Sequence, residues 1–142
     1  MAVETGQAII TYMWTRITTD ATLKSVLGTP VPVYRIMASQ DAAMPYLVHR
    51  FEARGVFLAT HSYLLDLWDS NNSPTRIDSA VDRLKILLHE WQIETGDNEI
   101  GGGVMEWFSG GYIPTDAESV WHYATMWSVR FGAARDRTNI LG

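Results

Sequence analysis

Residues 60–91 read THSYLLDLWDSNNSPTRIDSAVDRLKILLHEW, and the fold turns on how this stretch divides. THSYLLDLWD is an extended apolar run, SNN is a polar break, and the remainder has helical periodicity. Ile77, Ala80, Val81, Leu84, Leu87, Leu88 and Trp91 recur on one side of a helix, while Arg76, Asp78, Ser79, Asp82, Arg83, Lys85 and Glu90 fill the other. Ser73 can cap the first free amides, and Pro74 suits the first helical position, where its missing N–H would have had no partner. The spacing therefore predicts a strand feeding a helix over 74–91, and a striped helix needs a sheet to cover.

The flanking sequence supplies that sheet. Ile9, Ile10, Met13, Trp14 and Ile17 lie at helical intervals within 6–18. Thr19 or Asp20 can cap a short second helical turn, which Gly28 closes. VPVYRIM (31–37) is β-branched with prolines near its start, as suits an edge strand. YLVHRFEAR (46–54) alternates, with Leu47, His49, Phe51 and Ala53 on one side, and pairs most simply with the strand from His61 as an antiparallel hairpin. The connection exposes Phe57 and Leu58, which either a partner or the chain's own sheet must cover. QIETGDNEIGGG after Trp91 reads as a loop. VMEWFSGGYIP and SVWHYATMWSVRFGA read as two further strands, with Trp121, Tyr123, Thr125, Trp127, Val129 and Phe131 on one face and His122, Ala124, Met126, Ser128 and Arg130 on the other. The order implies one α+β domain over residues 1–142, a mostly antiparallel sheet with its helices on one face, and residues 134–142 as a loose C-terminal arm.

Composition narrows the function classes. With 46% apolar and 19% charged residues the chain is an ordinary globular one. No apolar run approaches the ~20 residues that span a bilayer, and no basic leader precedes the first apolar residues, so a soluble, intracellularly made protein without a membrane role is expected. The absence of cysteine excludes disulfides, thiolate catalysis and cysteine-held zinc. A net charge of −5, with Lys24 and Lys85 the only lysines, argues against general nucleic-acid binding. Six tryptophans are more than a small core usually needs, so some are candidates for cover by other subunits.

The search for chemistry returns little. His49, His61, His89 and His122 fall in four different elements, none at helical metal-site spacing, although His49 and His61 could meet across the hairpin. Asp66, Asp69, Glu52 and Glu106 are the carboxylates to test for acid–base work; solvated strand faces and turn caps also account for them. The triple glycine at 101–103 lacks the Gly-Lys-Ser/Thr ending of a phosphate loop and precedes a strand, which fits a hinge. No nucleophile elbow is present. Neither a cofactor, a metal nor a catalytic residue is indicated, and assembly is favoured over enzymatic activity.

The order of parts resembles the tail-terminator, or tail-completion, proteins of long-tailed bacteriophages and related gene-transfer particles. The likeness runs from about Ile9 to Ala133. It rests on a first helix leading to TDATLKSVLG and PVYRI, on MPYLVHRFEARG, on HSYLLDLWDSNNSPTRIDSAVDRLKILLHE and on the closing strand WHYATMWSVRFGA. The resemblance implies a structural virion protein at the neck end of the tail, assembled in the host cytoplasm. Its copies would form a homo-oligomer, a hexameric ring on the last ring of the major tail tube protein, stopping tube growth and presenting a surface to the head completion or connector protein. DNA would pass through the lumen without specific binding, an acidic wall repelling phosphates. Phe57 and Leu58 of the tip and Arg135 and Arg137 of the arm are the expected contacts between subunits. Two alternatives stand beside it: another neck, head–tail joining or minor tail protein, and a small-ligand-binding or enzymatic domain using the sheet face that carries Asp66, Trp68 and Glu106.

Overall fold

The computed structural model describes residues 5–39, 41–53, 60–93 and 103–131. Its elements run α1 (Thr5–Thr18), α2 (Ala21–Leu27), β1 (Val33–Arg35), β2 (Tyr46–Glu52), β3 (Thr60–Ser70), α3 (Thr75–Leu88), β4 (Trp91–Ile93), β5 (Gly103–Ile113) and β6 (Val120–Phe131). The six strands form one sheet in the order β1-β2-β3-β6-β5-β4. Every pairing is antiparallel except that of the edge strand β1, which runs parallel to β2. The α+β expectation therefore holds.

The stripe read from the sequence is the one that is buried. Ile77, Ala80, Val81, Leu84, Leu87 and Leu88 face Tyr63, Leu65 and Leu67 of β3 and Met105, Trp127 and Val129 of β5 and β6 in one core with α1 and α2. At ~1.5–3 kcal/mol for each large apolar side chain removed from water, α3 alone contributes on the order of 10 kcal/mol before chain entropy is subtracted. Asp20, not Thr19, caps α2, accepting from Leu23 N–H at 2.9 Å, and Gly28 takes up a φ of 105° as its N–H closes on Lys24 O.

Two ion pairs tie α3 to its neighbours, one in the helix layer and one in the sheet. Asp20 also receives Arg83 of α3 in a two-pronged contact at 2.7 and 3.0 Å, which joins α2 to α3. Asp69, at the end of β3, receives Arg76 of α3 in the same manner at 2.6 and 2.8 Å. That second clamp bridges the polar break the sequence marked. A third tie comes from α1, where the Arg16 guanidinium donates to Leu87 O at 3.1 and 3.3 Å and lies 4.8 Å from the Trp91 ring centroid.

Several expectations are corrected. α3 stops at Leu88 rather than Trp91, because Glu90 adopts a left-handed φ of 61° and turns the chain into β4, where Trp91 pairs with Met105. The segment read as loop thus begins with a strand. At the other end the helix starts at Thr75 with Pro74 in the N-cap position, although Ser73 Oγ still accepts from Thr75 N–H at 3.2 Å. Asp69 is no solvated carboxylate: its side chain is fully buried and committed to Arg76. Trp14 lies at the rim of the α1 stripe and is 49% exposed.

Candidate functional site

Helices cover one face of the sheet and leave the other open. Alternation along β3 decides which residues lie where: His61, Tyr63, Leu65, Leu67 and Asp69 are buried on the helix side, so Leu64, Asp66 and Trp68 point outward. The register carries this across the sheet, setting Val48 and Ala124 beside Asp66, and Tyr46 and His122 beside Trp68. In β5 the alternation breaks. A bulge between Trp107 and Ser109 leaves Phe108 without a partner in β6 and returns Tyr112, opposite Tyr123, to the inner side. Ile113 then falls outside, opposite His122.

The open face has three zones. At one end a row of rings crosses four strands. Tyr34 meets Tyr46 edge-on at 5.8 Å, Tyr46 lies 6.5 Å from Trp68, and Trp68 stacks on His122 at 3.8 Å with planes 11° apart. His122 Nε2 donates to Asp66 Oδ2 at 2.9 Å, which anchors the stack. The middle is apolar, with Val48, Leu64, Ala124 and Met126 half-buried among themselves. At the far end Arg50 pairs with Glu52 at 2.8 Å and Arg130 with Glu106 at 3.2 Å. Between middle and far end, Phe108, Met126, Ser62 and Ser128 line an open groove of 360 Å³.

This arrangement does not suit acid–base catalysis. Asp66 and Glu106 are two strands and four register positions apart, roughly 15 Å by strand geometry, too far to act on one bond. Each is also paired with a cation or imidazole of its own. Among the described residues no group of His, Asp and Glu has the makings of a metal site. Nor does the face carry a cationic surplus for phosphates, since Arg50 and Arg130 are matched by Glu52 and Glu106.

The histidines separate as the register dictates. His49 is opposite Leu65, so it cannot meet His61; instead its Nδ1 shares a 2.7 Å hydrogen bond with the Tyr63 hydroxyl in the core. Burial lowers the pKa of both, that of His49 to about 4, and raises that of Tyr63. Glu52 lies on the open face beside Arg50. His89 caps the end of α3, where its Nδ1 accepts the Trp107 N–H at 2.9 Å and so fixes the start of the β5 bulge. Trp127 is buried with its indole N–H on Thr125 Oγ1, whereas Trp68, Trp91, Trp107 and Trp121 are only half-buried.

Phe57, Leu58, Arg135 and Arg137 lie outside the described residues. Topology still relates their segments: 54–59 joins β2 to β3, 132–142 follows β6, and Thr60 pairs with Arg130. The start of β3 and the end of β6 therefore lie at the same end of the sheet. Sequence reasoning missed the ring row, although its signal was present in the even-numbered positions of β2, β3 and β6.

No protein-family model matches the chain, and no curated protein is similar to it in sequence. Solved structures are similar in fold. A chain in the virion of a native gene transfer agent particle superposes with a TM-score of 0.71 at 12% identity, over 92% of this chain and 97% of that one. A second solved chain, which carries no functional description, gives a TM-score of 0.62 at 13% identity over 89% and 94%. At these identities each is a likeness of fold.

Proposed function

We propose that this chain is a structural subunit of a phage-like particle and, within that class, the tail terminator. Copies close into a hexameric ring on the end of the tail tube, block addition of further tube protein and offer the opposite surface to the head completion or connector protein. DNA passes through the ring without specific binding, and the chain carries no catalytic activity. The observation that carries the proposal is the shared fold with a virion chain over nearly the full length of both. An open sheet face with half-covered rings supports it, because a subunit that works by assembly needs faces to bury.

The physical logic of termination is one of mismatched faces. A tube grows while each ring offers the surface that the next ring recognises, and it stops when a ring is added whose outer face differs. Within the ring, the 55–59 tip with Phe57 and Leu58 or the 134–142 arm with Arg135 and Arg137 reaches a neighbouring subunit. The test is to mix the purified protein with tube subunits and measure tube length by negative stain. Short tubes capped at one end are expected, and tubes of unrestricted length would refute the role.

A further inference from the structure

We infer that the free edge of β5, residues 108–113, receives the C-terminal segment 132–142 of a second copy of this chain as an added antiparallel strand. The inference rests on the ring-forming reading above and names the surface through which ring neighbours join. β5 is eleven residues long, but β4 pairs only with Gly103–Met105. Beyond Trp107, whose N–H is held by His89, no described backbone group bonds to β5 except from β6. Proteins usually shield such an edge with lysine, proline, a bulge or a short strand. This one has a bulge at its start, but at it and past it carries Phe108, Tyr112 and Ile113 at 68%, 42% and 44% exposure.

Two adjacent glycines follow the bulge. Gly110 has an internal reason to be glycine, since a Cβ there would strike the Trp107 ring and meet Tyr123 Cε1 at 3.1 Å. A Cβ at Gly111, opposite Ala124, would meet nothing within 4 Å and would point onto the open face, so this position leaves the in-plane edge unobstructed.

Length, direction and charge select the occupant. The eleven residues after Phe131 can span ~36 Å extended, and the six-residue edge needs ~20 Å, which leaves about five residues to bridge. Phe131 pairs with Gly103, at the opposite end of β5 from Ile113, so the chain's own arm would have to reverse and cross β4 to reach this edge. The arm of a neighbour placed head-to-tail continues in the direction of β6 and meets β5 antiparallel without reversing. It would enter past the turn where Asp116 and Glu118 are exposed, bringing Arg135 and Arg137 to those carboxylates and Ile140 and Leu141 to the apolar edge. A head-to-tail contact of this kind generates rings.

The lack of cysteine makes the test clean. Ser109→Cys protein is mixed with a second protein carrying Asn139→Cys, then oxidised, and the scan is repeated with Thr138→Cys and Ile140→Cys to allow for register. A covalent dimer between the two singly substituted proteins is expected, as is a ladder of oligomers from the doubly substituted chain. Closed monomers alone, or no cross-link at any of the three positions, would overturn the inference. Deletion of residues 136–142 should leave the thermal melt unchanged and weaken association measured by sedimentation at least about tenfold. Unchanged association would overturn it too. Cross-linked rings that fail to limit tube length would support this edge while refuting the terminator role.

Discussion

Lowering the pH should destabilise this fold through His49, by an amount that follows from its surroundings. The ring is 2% exposed on the helix side of β2, with its Nδ1 on the Tyr63 hydroxyl. Burial, with the Arg35 guanidinium adding to it, takes its pKa from 6.5 down to about 4. Because the folded value is depressed, the unfolded chain binds this proton first. The associated stability is present above pH 6.5 and is lost as the pH falls toward 4, where the folded state also protonates. Two and a half units at ~1.4 kcal/mol each amount to a loss of about 3 kcal/mol. Other groups titrate in the same range, including His61, whose pKa burial also lowers. His49→Gln isolates the effect, since an amide can still bond to Tyr63 but cannot titrate. Urea unfolding at pH 7.5, 6, 5 and 4 should show the wild type losing about 3 kcal/mol relative to His49→Gln across the range. A gap between the two proteins that stays constant with pH would refute the assignment.

The Asp69–Arg76 clamp should respond asymmetrically. Arg76→Ala strands a fully buried carboxylate and should cost ~3–5 kcal/mol, more than Asp69→Ala, which leaves an arginine that is 34% exposed and can turn to water; equal or reversed urea midpoints would sink this. Gly110→Ala should cost ~1–3 kcal/mol in thermal melts because its Cβ collides with Trp107, and a neutral result would mean that the ring moves aside freely.

The helix stripe was legible because six buried positions share one period with nothing local to oppose it. β4 was not. Trp91 satisfies the helical interval after Leu87 and Leu88 as well as it satisfies a strand, and what decides is the ladder with Met105, a partner fourteen positions away that periodicity cannot see. Asp69 was misread for a different reason. A carboxylate near a turn is usually wet, yet its parity with Tyr63, Leu65 and Leu67 placed it inward, and an arginine seven residues on, at the first turn of α3, was the available partner. Parity and partner together would have identified the pair.

The open edge was hidden by the bulge. Strict alternation through VMEWFSGGYI would have put Tyr112 outward with Val104 and Glu106 and sent Ile113 inward. One extra residue at Phe108 reverses that assignment for everything after it. The reversal seats the Tyr112 ring 4.8 Å from Tyr123, with its hydroxyl on Asp78 of α3, and so binds the far half of β5 to the helix layer. The same step exposes Phe108 and Ile113. A strand held by its core side but stripped along its outer edge has the form expected of a surface kept for another chain, and the irregular residue that makes it so is also the one that sequence periodicity could not place.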